Sequence, residues 1–183
     1  MTSDAQKPFD RSYWVVPNKF LAGAYPGSKD HEEGRAKITS LVDCGIRFVI
    51  SLMEKDERNF SGEQFEPYED ILARIASTLG VEIRMKRMPI RDLHVPSRRD
   101  MVEILNTIDL AIENGQPVYV HCWGGVGRTG TVVGCYLIRH GLATGDDVLE
   151  RIAVLRTNEA TAHRMSPETL DQRVMVQSWV PGQ

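Results

Sequence analysis

The sequence is short of several things, and each shortage removes a class of protein. No apolar run approaches the roughly 20 residues that a membrane span requires. Met1 to Lys7 lacks the apolar centre of a secretory leader, so a cytoplasmic protein with no membrane span is the expectation. Cysteine is confined to Cys44, Cys122 and Cys135, an odd number without disulfide or metal-ligand spacing. Cys44 and Cys135 read as packed apolar residues, with a redox partnership between Cys135 and Cys122 as the less favoured alternative. The five histidines are scattered, and nothing in these patterns points to a metal or another cofactor. No Gly-Lys-Ser/Thr is present, which excludes a nucleoside-triphosphate loop. Internal repeats and low-complexity segments are absent as well. The net charge is only −3, and the one local excess of a single sign is at residues 84–99, where Arg84, Lys86, Arg87, Arg91, Arg98 and Arg99 face Asp92 alone. No nucleic acid is expected as a partner. The basic run reads first as a solvated face and second as a means of steering anions.

What is present is the composition of a globular protein, 183 residues with 42% apolar and 26% charged side chains, enough for one domain with a core of its own. Residues 1–11 read as a polar tail and 12–183 as a single domain. Tyr13–Val16 and Phe20–Ala24 read as short strands, His31–Cys44 as a helix stopped by Gly45, and 46–52 as a buried parallel strand. The charged stretch Glu54 to Asn59 reads as solvated surface. A helix over Tyr68–Leu79 follows, then a strand over Val81–Met85, a loop over Met88–Pro96 and a helix capped by Ser97. Near the C-terminus, Thr144 reads as the cap of a helix with Val148, Ile152 and Leu155 on its apolar stripe, and Ser166-Pro167 as the start of the last helix. The alternation of strand and helix indicates a layered α/β domain with a central mixed, largely parallel sheet flanked by helices.

The chemistry concentrates in residues 121–130, His121-Cys122-Trp123-Gly124-Gly125-Val126-Gly127-Arg128-Thr129-Gly130. The β-rich run Pro117 to Val120 precedes them and the apolar run Thr131 to Ile138 follows, so the order is strand, glycine-rich loop, buried helix. Glycines let successive backbone N–H groups converge on one anion, a helix N-terminus adds partial positive charge, and Arg128 offers a planar fork to phosphate oxygens. Cys122 opens the same loop, in a field that favours thiolate over thiol. A phosphate cradle with a nucleophile at its base points to phosphoryl transfer to sulfur. Gly125-x-Gly127-x-x-Gly130 also satisfies the dinucleotide fingerprint, yet no second strand ends in an acidic residue about 20 positions on. A buried, inert Cys122 would leave Arg128 and the glycines unexplained.

His-Cys-x5-Arg-Thr-Gly resembles the signature of the cysteine-dependent protein tyrosine phosphatase superfamily, and the compact chain is most similar to its dual-specificity branch. Ala22-Gly23-x-Tyr25-Pro26-Gly27 resembles the opening of the same fold, and the likeness spans roughly residues 13–180. The resemblance implies that the Cys122 thiolate attacks phosphorus while the backbone of Trp123, Gly124, Gly125, Val126 and Gly127, with Arg128, holds the non-bridging oxygens. Asp92 lies thirty residues before Cys122 on a loop at a strand end, where that family keeps its general acid. Asp100 reads as a helix cap and His94 as a solvent-facing loop residue. Thr129 is expected to donate a hydrogen bond to the sulfur and His121 to orient the loop from behind. Gln172 matches one glutamine of the family's water-positioning segment, the other falling on Glu168, and plain helix surface is the competing reading. The implied substrate is a phosphoprotein carrying phosphotyrosine, with phosphoserine or phosphothreonine also accepted. The alternative is an inositol phosphate or phosphoinositide, and the remote one an inactive phosphate-binding module.

Overall fold

The structure, a computed structural model, describes residues 6–183. Five strands, β1 (Ser12–Val16), β2 (Phe20–Gly23), β3 (Phe48–Ser51), β4 (Arg84–Arg87) and β5 (Val118–His121), form one sheet in the order β1-β2-β5-β3-β4. Only β1 runs antiparallel to its neighbour; β2, β5, β3 and β4 are parallel. Helices α1 (His31–Asp43) and α2 (Glu69–Thr78) cover one face, packing Ile38, Leu41, Val42 and Leu72 against Leu21, Val49 and Tyr119. The other face carries α3 (Arg98–Glu113), α4 (Arg128–Arg139), α5 (Val148–Leu155) and α6 (Leu170–Gln177) over a larger core that includes Phe20, Ile50, Val120, Val132 and Leu137. The mixed, largely parallel sheet flanked by helices is therefore as the sequence indicated.

Strand β5 sits between β2 and β3, and every one of its residues is buried. A parallel strand covered on both faces reads as continuous apolar sequence, as Val118-Tyr119-Val120 does. Its carboxyl end delivers His121 and Cys122 to the middle of the sheet edge, where α/β folds place their ligands. Helix α4 runs back from that point with residues 128–138 all buried, enclosed by β2, β5, α3, α5 and α6.

Several element boundaries differ from the sequence reading. The fourth strand is Arg84–Arg87, not Val81–Met85: as an edge strand it pairs only with β3, and its long cationic side chains suit an edge. Val81 and Ile83 lie ahead of it, packed on the α1–α2 core. Helix α5 begins at Val148, while Thr144 donates its backbone N–H and hydroxyl to Asp147 in the preceding turn. Helix α6 begins at Leu170 under a capping box of Thr169 and Gln172, so Ser166-Pro167 belongs to the loop before it. Of the expected tail, residues 1–5 lie outside the described residues, but 6–11 are attached. Phe9 packs edge-on to Tyr119, Ala160 N–H donates to the Asp10 carbonyl at 3.0 Å, and Arg11 donates to Gly124 O at 2.9 Å.

Candidate active site

The loop after β5 closes tightly around the sulfur of Cys122. Gly125 N–H donates to Cys122 Sγ at 3.3 Å, and Gly125 has φ +72°, a conformation that favours glycine. A Cβ there would lie 2.6 Å from the Gly23 carbonyl carbon, so the β2 end also requires its absence. Gly127 caps α4, and Arg128 is that helix's first residue, which brings cradle, helix terminus and guanidinium to one place. A pocket of about 230 Å3 opens above, lined by Cys122, Trp123, Gly124, Gly127 and Arg128 from the loop and by Asp92 and Leu93 from the facing one. Val126 is buried, its carbonyl accepting from Ser166 Oγ at 2.7 Å.

Arg128 is fully buried and held on several sides. Its Nη1 and Nη2 donate to Glu57 Oε2 and Oε1 at 2.6 and 2.7 Å, Nη1 donates to Ile90 O at 3.1 Å, and Nη2 lies 3.0 Å from Asp92 Oδ1. Burial disfavours the guanidinium's charge, but the bonds it donates to Glu57 and the nearby Cys122 and Asp92 outweigh it and keep Arg128 firmly protonated. Its Nε is buried without a hydrogen-bond partner among the described residues. Glu57 corrects the sequence reading of residues 54–59 as solvated surface. Its side chain is only 8% exposed. Nothing local marks it out among Glu54, Asp56 and Glu57; only the folding of that loop over the β3 end selects it.

Behind the loop, His121 is fully buried. Its Nδ1 faces the Cys122 carbonyl at 3.1 Å, and since a carbonyl only accepts, Nδ1 carries the proton and Nε2 accepts from Tyr68 O–H at 2.6 Å. Burial pushes the imidazole down to about 4, so it is neutral at ordinary pH and serves as a spacer under the loop. Thr129 departs from expectation: its hydroxyl donates to Gly23 O, at the end of β2, at 3.3 Å and not to the sulfur. Gln172 is neither on the helix surface nor among the pocket-lining residues. It is fully buried, its Oε1 accepting from Glu168 and Thr169 N–H and its Nε2 donating to His94 O at 3.2 Å. Glu168 is the residue of that segment that reaches the pocket.

The facing loop carries Asp92 with its side chain 41% exposed and Leu93 at φ +62°, a strained conformation for a branched residue held next to the site. His94 is exposed and bonds the Asp92 carbonyl through Nδ1 at 2.7 Å. Asp100 completes the α3 cap with Ser97. Phe60 and Trp123 form one wall, their ring centroids 4.6 Å apart, and Trp123 also lies 5.4 Å from Phe65 outside the pocket. The basic run at 84–99 does not contribute its charges to this pocket. Lys86 pairs with Glu103, Arg87 with Glu69, and Arg98 donates to Ser178 while lying over Trp179. The cations that join Arg128 here are Arg11 and Arg164, which the sequence reading missed because they come from distant, unremarkable stretches. Cys135 is buried within α4, where desolvation pushes its thiol up and favours the neutral form.

Residues 27–142 match the family described as Tc-R-P, polymorphic toxin system, DSP-PTPase phosphatase. A mouse relative, protein tyrosine phosphatase domain-containing protein 1, is 28% identical over 147 residues, covering 80% of this chain and 19% of its own. The phosphatidylglycerophosphate phosphatase PTPMT2 of Arabidopsis thaliana is 33% identical over 144 residues, 77% of this chain and 54% of its own. The chain thus spans about a fifth of the first relative and about half of the second. Among solved structures, kinase-associated phosphatase superposes with a TM-score of 0.68 at 18% identity, covering 93% of each chain, a likeness of fold. With cradle, cysteine and arginine at the end of a central parallel strand and more than half of its length matching that family, the chain belongs to the DSP-PTPase phosphatases of the cysteine-dependent protein tyrosine phosphatase superfamily.

Proposed function

We propose that this chain hydrolyses phosphomonoesters of phosphoproteins, phosphotyrosine foremost, through a phosphocysteine intermediate and without a metal. The observation that supports this is that Cys122, Arg128 and Asp92 line one pocket, with Arg128 Nη2 3.0 Å from Asp92 Oδ1. The thiolate attacks phosphorus and the ester P–O bond breaks, while the loop N–H groups and Arg128 hold the three non-bridging oxygens. Asp92, protonated, gives its proton to the departing oxygen. Water then attacks phosphorus, the S–P bond breaks, and the water's proton passes to Asp92 as phosphate leaves. Gln172 is a positioning residue in this scheme, tying the acid loop to α6 through the His94 carbonyl. Phe60, Trp123 and Leu93 provide apolar walls suited to an aryl ring.

Asp92→Asn tests the scheme. It should slow esters with poor leaving groups by about 100-fold or more while sparing p-nitrophenyl phosphate, whose phenolate leaves unaided. Equal slowing of both would remove Asp92 from the acid's role. Activity should also survive chelators; loss with EDTA would overturn the metal-free scheme. An inositol phosphate or phosphoinositide is the second reading, and what favours it is the presence of Arg11 and Arg164 in the pocket, together with a relative named for a phospholipid substrate. Side-by-side turnover of a phosphotyrosine peptide, a phosphothreonine peptide and inositol hexakisphosphate separates the readings. Turnover of any aryl phosphate disposes of an inactive binding module.

A further inference from the structure

Resting on the phosphoprotein reading, we propose that Arg11 and Arg164 form a second anion subsite, which selects phosphotyrosine peptides with an acidic side chain beside the phosphorylated residue. The two guanidinium groups arrive from opposite ends of the chain and converge on Gly124. A point placed where its Cβ would be lies 3.8 Å from Arg11 Nη2 and 3.9 Å from Arg164 Nη1. Both line the pocket of Cys122 and Arg128, but neither is needed to bind the reacting phosphate, for which the loop amides and Arg128 suffice.

Their charge is only partly neutralised. Arg164 Nη2 pairs with Glu168 Oε1 at 2.5 Å, leaving Nη1 towards Gly124. Arg11 makes no ion pair among the described residues; its Nη2 donates to Gly124 O at 2.9 Å, and its Nε is buried without a partner. Two like charges brought to one glycine gain from an anion between them, and Arg11 Nη1 and Arg164 Nη1 carry no hydrogen bond among the described residues.

The pair is braced. Arg156, itself buried, donates to Arg164 O at 2.8 Å, to Thr161 O at 2.9 Å and to Glu159 Oε2 at 2.9 Å, fixing the loop that carries Arg164. The same loop is tied to the N-terminal segment by Ala160 N–H to Asp10 O at 3.0 Å and by Lys7 Nζ to Asn158 O. A flanking peptide has somewhere to go. A groove of about 570 Å3, with Tyr25, Gln64 and Phe65 in its walls, shares Arg11 and Trp123 with the catalytic pocket. A ring seated between Phe60 and Leu93 would leave its peptide passing Arg11 on the way into that groove.

The test uses phosphotyrosine peptides that differ only in Glu or Gln at the two positions on either side, with kcat/KM normalised to each variant's own rate on p-nitrophenyl phosphate. The intact chain should prefer the Glu peptides by about tenfold, as a charge-assisted bond of this kind warrants, and less at high salt. Arg164→Ala and Arg11→Ala should each reduce that preference to about threefold or less, and Glu168→Gln, by releasing Arg164, should increase it. No preference in the intact chain, or one that persists in both arginine variants, overturns the subsite and leaves the phosphatase reading standing. Hydrolysis of inositol hexakisphosphate with no peptide turnover overturns the phosphoprotein reading and this subsite with it.

Discussion

Glu57 shows how one side chain acquires its meaning from the fold. It accepts both Nη groups of a fully buried Arg128. Removing one member of such a pair leaves the other as an uncompensated buried charge, at a cost of about 3–5 kcal/mol where no other group takes over. In Glu57→Gln, Asp92 and the Ile90 carbonyl still hold the guanidinium, so a smaller loss of about 2 kcal/mol is expected in urea unfolding. Because the arginine then lacks its main counter-charge, inorganic phosphate should raise the Tm of this variant more than that of the parent chain. Equal phosphate shifts would mean that Glu57 does not position Arg128 for an anion. Cys122→Ser should give the complementary result at the same scale: if Cys122 is the nucleophile, turnover is lost while phosphate-ester binding, measured by calorimetry, persists.

At the scale of the element, the loop from β5 to α4 works because a strand end, a helix N-terminus and the end of β2 meet without spare room. Gly125→Ala would place a methyl group against Gly23 and force an L residue to φ +72°. The backbone term is about 1–2 kcal/mol and overpacking adds a comparable amount. A fall of at least about 2 kcal/mol in unfolding free energy, with a lower kcat, is the expected outcome; a stable and fully active variant would mean that the loop is far more yielding. Helix α6 contributes through its first turn, where the Gln172 side chain joins the cap to the loop that carries Asp92. Gln172→Ala should lower kcat on peptides more than on p-nitrophenyl phosphate, because a loosened Asp92 matters only where the leaving group needs a proton.

For the whole molecule, the buried and neutral His121 couples stability to pH. Its imidazole titrates near 6.5 when free and is held down to about 4 in the fold, so the unfolded chain binds the proton more readily. Stability present above about pH 6.5 is therefore lost as the pH falls towards 4, by up to about 3 kcal/mol from this group. Urea midpoints measured between pH 7 and 5 should decline in the parent chain and decline less in His121→Gln. Identical slopes would assign the acid sensitivity to other groups.

Some of this was legible in the one-dimensional pattern, and for identifiable reasons. The run Val118 to Val120, the glycines, Cys122 and Arg128 are contiguous, so local sequence determined the strand, the glycine loop and the helix start that carries Arg128 together. Periodicity and capping residues determined the alternation of strands and helices, with Ser97 capping α3 as its spacing requires. Tertiary structure alone decided which of the loop acids supports Arg128, that Thr129 bonds β2 and not the sulfur, and that Gln172 is buried. It also decided which cations face the site. Lys86, Arg87 and Arg98 of the basic run are engaged by Glu103, Glu69 and Ser178, and none of its cations lines the pocket, while Arg11 and Arg164, far apart in sequence, arrive at Gly124. Propensity and spacing are properties of neighbouring residues. Charge compensation and burial depend on which segments the sheet order brings together, and no local pattern records that.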